Sequence, residues 1–171
     1  MTPRYNPMKH HRRSIRLRGY DYASANMYFI TLCVKDFASI FGEIVNGEMI
    51  LNDYGCIVRD CWENTTSIRP NVKIHDYVIM PNHFHAIVEI VERNKDIPLD
   101  TPIGKFTSPI HTVGSIVRGF KSAVSVAIGD SVWHRNYYEH IIRDYRDYNR
   151  ISAYVKNNPR KWYMDKFRSS F

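Results

Sequence analysis

The chain has 171 residues, with 24 Lys and Arg against 17 Asp and Glu, for a formal net charge of +7. Hydrophobic residues make up 44% and charged residues 24%, ordinary globular usage that argues against a collagen-like, coiled-coil or wholly disordered chain. No apolar run approaches the roughly 20 residues that span a bilayer, so a soluble, cytoplasmic protein without a membrane partner is predicted.

The length fits one compact domain, predicted over residues 27–171 behind a basic arm at 1–26. The arm carries Arg4, Lys9, Arg12, Arg13, Arg16 and Arg18 with no acid before Asp21, a charge suited to a polyanion or simply to solvent. Met27 to Val34 is β-branched and aromatic and reads as a first strand. Phe41 to Leu51 reads as a hairpin, because Asn46-Gly47 stands between two apolar runs. Asn52 or Asp53 then caps a helix through Ile57, Val58, Cys61 and Trp62 to about Thr65. Three cysteines, Cys33, Cys56 and Cys61, are too few for a disulfide framework and read as buried thiols.

Two strands follow, Val72 to Met80 and His83 to Val91, joined by Pro81-Asn82. In the second, Phe84, Ala86, Val88 and Ile90 share one face, and His83, His85, Ile87 and Glu89 share the other. The first face is predicted to be core and the second to carry chemistry. Arg93 to Pro109 is polar, proline-bearing and aperiodic, and reads as an exposed loop. Val113 to Ile128 reads as a helix, Trp133 to Arg143 as a bridging segment, and Tyr145 to Asn157 as a last helix ended by Pro159. This order suits an antiparallel sheet with helices packed on it, an α+β architecture.

Two imidazoles two residues apart on a strand project from one face and can share one divalent metal; they can equally be hydrogen-bonded side chains. In the last helix Tyr154 and Asn158, four apart, share a face beside the stripe Tyr148, Ile151 and Val155. Asn158 precedes a proline expected to end the helix, which leaves its amide oxygen available as a third ligand. The other reading makes Tyr154 a core-edge aromatic and Asn158 a helix cap.

Met80-Pro81-Asn82-His83-Phe84-His85, then Trp133, Glu139-His140-Ile-Ile-Arg143, Asp147-Tyr148 and Tyr154-Val-Lys-Asn-Asn158-Pro159, resembles the single-tyrosine HUH transposases, in particular the REP-associated tyrosine transposases. The resemblance runs from the first strand to about Trp162. It implies a ferredoxin-like (RRM-like) fold of the HUH endonuclease type, Mg2+ or Mn2+ held by His83, His85 and Asn158, and Tyr154 as nucleophile. Tyr137 and Tyr138 are rival nucleophiles, but their i+4 positions are Ile141 and Ile142, which offer no ligand. The implied reaction is cleavage and rejoining of single-stranded DNA, at a hairpin or repeat end, through a 5′-phosphotyrosine. One tyrosine makes one cut, so transposition implies a homodimer or sequential use of one site. Phosphates are expected on Arg12, Arg13, Arg16, Arg18, Lys105, Arg118, Lys121, Lys156, Arg160 and Lys161, and Glu89 is a candidate to orient a ligand or water. The competing reading is a DNA-binding domain of the same fold without catalysis.

Overall fold

The computed structural model describes residues 24–91 and 112–168. The predicted arm up to residue 23 and the predicted loop 93–109 therefore lie outside the described residues. β1 (Asn26–Cys33), β4 (Val72–Met80), β5 (His83–Ile90) and β6 (Tyr138–Ile142) form a four-stranded sheet in the order β4-β5-β1-β6. Every pairing in it is antiparallel. The helix α1 (Asp53–Glu63) carries the chain from β1 to β4, and α3 (Val113–Ile128) carries it from β5 to β6. Each connection crosses over one intervening strand, which gives the ferredoxin-like β-α-β-β-α-β arrangement.

Alternation along β1 and β5 decides which face each helix covers. Tyr28, Ile30 and Leu32 join Phe84, Ala86, Val88 and Ile90 on one face, packed against Val58 and Trp62 of α1 and Ile116, Val117, Phe120 and Val124 of α3. Phe29, Ile87 and Ile142 occupy the other face, under Ile151 and Val155 of α4 (Tyr145–Asn157). At about 1.5–3 kcal/mol for each large apolar side chain buried, the first cluster anchors the sheet and the smaller second one docks α4 on it.

A separate hairpin, β2 (Gly42–Val45) with β3 (Glu48–Leu51), lies between β1 and α1. Its turn residues Asn46 and Gly47 both have positive φ, 52° and 80°, the conformation that matches strand twist in a two-residue loop. Asn52 then caps α1: its side chain accepts from Gly55 N–H at 3.0 Å and donates to the Ile40 carbonyl at 2.9 Å. Asn52→Ala removes both bonds, and an unfolding midpoint corresponding to a loss of about 1–2 kcal/mol is expected in urea titration. A short helix, α2 (Thr65–Ile68), follows α1.

One sequence expectation is corrected and another refined. Trp133 to Arg143 is more than a bridge, because Tyr138–Ile142 forms the edge strand β6 beside β1. Its polar residues mask the alternation: Ile141 points to the larger core, whereas Tyr138, His140 and Ile142 point to the α4 face. α4 ends at Asn157, before Pro159, as expected, although the chain continues in helical geometry. Asn158 keeps φ −59° and ψ −44°, and Pro159 opens a 3₁₀ helix, Pro159–Met164, at the first position, where a missing N–H costs nothing.

Candidate active site

The imidazole face of β5 lies in the middle of the sheet, with β4 on one side and β1 on the other. His83 and His85 are 0% and 1% exposed, so the face expected to carry chemistry is as buried as the core face. Their ring centroids stand 4.6 Å apart. Asn82 donates its amide to the carbonyls of Phe37 and Phe167, at 3.1 and 2.6 Å, which fixes its Oδ1 as an acceptor 2.8 Å from His83 Nδ1. His83 therefore carries its proton on Nδ1 and presents a bare Nε2. His85 Nδ1 lies 2.8 Å from Thr31 Oγ1, on the neighbouring strand, and its Nε2 lies 3.2 Å from the Tyr154 hydroxyl. Burial lowers the pKa of both rings, His83 to about 4, so both are neutral at neutral pH, the form that ligates.

α4 supplies the other half. Asp144 caps its start by accepting from Asp147 N–H at 2.8 Å, and Ile151 and Val155 fasten it to the sheet. Tyr154 is left at the edge, 42% exposed, its ring edge-on to Phe29 with centroids 6.1 Å apart. Burial, reinforced by the Asp165 carboxylate, holds its phenol above the ordinary pKa, so it is protonated at neutral pH. One turn further on, Asn158 is 3% exposed. Tyr154, His85, Asn158 and Lys161 line one cavity of about 790 Å3, together with Phe29, Thr31, Tyr138, Arg150, Asp165 and Phe167.

Two atoms of this cluster stand out. His83 Nε2 and Asn158 Oδ1 are buried and have no hydrogen-bond partner among the described residues. Two orphaned acceptors, beside a His85 Nε2 whose partner is the Tyr154 hydroxyl, are costly in a protein interior and fit a hard or borderline cation that accepts nitrogen and oxygen donors. Among the described residues no three His, Cys, Asp or Glu side chains converge on a cation cage, so the fit rests on two imidazoles and an amide.

The other predicted residues scatter. Tyr138 lines the cavity and is 53% exposed, whereas Tyr137 packs toward the larger core and donates its hydroxyl to Glu139 at 2.7 Å. Glu89 lies on the histidine face beyond Ile87, where it bonds His75 at 2.8 Å rather than either candidate ligand. Lys161 is at the cavity; Lys156 pairs with Asp76 at 3.0 Å, and Arg160 is exposed beside the hairpin turn at Gly47. Arg118 is on α3, across the sheet, as is Lys121, whose ammonium donates to the carbonyls of His134 and Arg135. Arg12, Arg13, Arg16, Arg18 and Lys105 lie outside the described residues.

Sequence reasoning missed Thr31, Arg150 and Asp165. Thr31 is two residues from the end of β1, where cross-strand register alone brings it opposite His85. Arg150 stands one turn before Tyr154 and is held by Asp147, which is held in turn by His140. That i, i+4 spacing was legible; the cavity it serves was not.

No protein-family model matches the chain. An uncharacterized protein of Haemophilus influenzae is 48% identical to it, over 96% of this chain and 97% of that one. The two belong to one family. A second Haemophilus influenzae protein, named "Putative REP-associated tyrosine transposase", is 23% identical over 82% of this chain and 74% of its own length. Among solved structures, a REP-associated tyrosine transposase bound to a REP hairpin superimposes with a TM-score of 0.60 and 22% identity, covering 90% of this chain and 77% of that one. The fold of the chain is that of this REP-associated tyrosine transposase. In this chain Tyr154 lies on α4, Asn158 is that helix's C-cap and His85 lies on β5, and the three line one cavity. No helix among the described residues is long and apolar enough to cross a membrane.

Proposed function

We propose that the protein cleaves and rejoins single-stranded DNA by forming a 5′-phosphotyrosine on Tyr154. The observation that carries this reading is the Tyr154 hydroxyl 3.2 Å from His85 Nε2, in a cavity that also holds the orphaned Asn158 amide oxygen. A half-exposed phenol whose hydroxyl meets a buried, neutral imidazole is placed to act as a nucleophile.

In this mechanism Tyr154 Oη attacks the scissile phosphorus. The Oη–P bond forms, the P–O3′ bond breaks, the phenolic proton leaves to solvent and the departing 3′ oxygen takes one up. The diester energy is kept, so a second 3′-hydroxyl can attack, restore the phenol and join strands without ATP. His83, His85 and Asn158 would hold a divalent cation, Mg2+ or Mn2+, which when bound polarises the phosphate and stabilises the leaving oxygen. Thr31 and Asn82 fix the two imidazoles, and the docking of Ile151 and Val155 fixes where α4 presents Tyr154. Arg150 and Lys161 supply positive charge at the cavity mouth for the flanking phosphates.

The related structure binds a REP hairpin, which supports hairpin DNA as the partner here. The test incubates single-stranded oligonucleotides tiling the DNA beside the gene with protein and Mg2+ or Mn2+, then resolves protein–DNA adducts on a denaturing gel. A metal-dependent adduct is expected; tight binding without adduct on any strand would favour a non-catalytic binding domain. Affinity should fall steeply with salt, log K against log salt sloping about −0.7 per single-strand phosphate contacted, and a flat line in a salt titration would remove the basic residues from the interface.

A further inference from the structure

Beyond the 3₁₀ helix the chain returns across the mouth of the site and places a carboxylate there. The Asp165 side chain is 6% exposed, and its Oδ2 lies 3.8 Å from the bare His83 Nε2. Among the described residues that neutral imidazole is its one basic partner within salt-bridge range. A carboxylate largely removed from water without a countercharge is disfavoured. Beside it, His83 Nε2 and Asn158 Oδ1 also lack any donor. Acceptors from β5, the end of α4 and the tail thus meet around His83 Nε2.

The separation is too long for a hydrogen bond and falls between the spacings of adjacent and opposite ligands of one ion. With metal–ligand bonds of about 2.1 Å, adjacent octahedral positions lie about 3.0 Å apart and opposite ones about 4.2 Å. The tail is also fastened: Asp165 Oδ1 accepts from Phe167 N–H at 2.8 Å, the Phe167 carbonyl accepts from Asn82, and the Phe167 ring centroid lies 4.9 Å from that of His83. Asn82, which sets the His83 tautomer, thereby also sets the position of Asp165.

We propose that Asp165 is a further ligand of the divalent cation, closing the site from the tail side with the negative charge that two imidazoles and an amide lack. The proposal rests on the reading above that this site takes a cation.

The test titrates Mn2+ into chelator-treated wild type, Asp165→Asn and His83→Ala, following free Mn2+ by electron paramagnetic resonance, and melts each with and without Mn2+. Asp165→Asn, almost isosteric and able to keep the Phe167 N–H bond, is expected to weaken Mn2+ binding at least tenfold and to shrink the Mn2+-induced rise in melting temperature. Its metal-free melting temperature should stay level or rise, because a buried charge has gone. Unchanged Mn2+ affinity with a lower metal-free melting temperature would make Asp165 merely structural and overturn the proposal, while loss of binding in His83→Ala would still uphold the cation site. Absence of Mn2+ binding by wild type would overturn the cation reading itself.

Discussion

Tyr154→Phe is expected to abolish the covalent protein–DNA adduct, by several orders of magnitude in rate, while DNA affinity stays within about twofold of wild type. The change deletes one oxygen. The ring keeps its edge-on contact with Phe29, and the fold loses only the hydroxyl contact to His85 Nε2, worth about 1 kcal/mol. A near-normal melt with no adduct would therefore isolate chemistry from folding. An adduct that persists at the same rate in Tyr154→Phe would move the nucleophile to Tyr138, the other tyrosine lining the cavity, which a tryptic map of the linked peptide would show directly.

Phe84→Ala should give the largest loss of stability among single changes near the site. Phe84 is fully buried between the histidines in sequence but on the opposite face, with ring centroids 5.0 Å from Trp62 and 5.2 Å from Phe120. Removing it costs about 3–5 kcal/mol, the range for a buried Phe→Ala, and lowers the melting temperature by roughly 10 °C. The same cavity loosens the strand that spaces the two imidazoles, so Mn2+ binding should weaken as well, although no ligand has changed. Phe84→Leu should recover most of both losses. A Phe84→Ala melt within about 2 °C of wild type would mean that the core does not brace this strand.

Much of this architecture was legible in the sequence because local signals agreed with the tertiary fold. Asn46-Gly47 forced a hairpin, the alternation of His83 to Ile90 assigned two faces, and the periods of Val113–Ile128 and Tyr145–Asn157 matched their helices residue for residue. β6 was not legible, since an edge strand with one partner mixes Glu139 and His140 with isoleucines that face opposite ways. Nor was Asp165, whose role depends on a tail folding back over β5, a contact between residues more than 80 apart. The pair Tyr154 and Asn158 could be placed on one helical face, but that this face meets His85 needed the docking of α4.

The sheet itself divides the basic residues. Arg118 and Lys121 belong to α3 on one side, and Tyr154, Arg150 and Lys161 belong to α4 and its extension on the other. With helix and sheet layers each about 10 Å thick, a path from one group to the other around the rim of the sheet is on the order of 30 Å, about nine base pairs of duplex. On the function proposed above, a short oligonucleotide would reach only the α4 side, and an element that touches both sides would have to embrace an edge of the molecule. The minimal footprint of the DNA is therefore a ruler for this fold: a substrate trimmed below that length should still be cut but should become indifferent to charge reversal at Arg118.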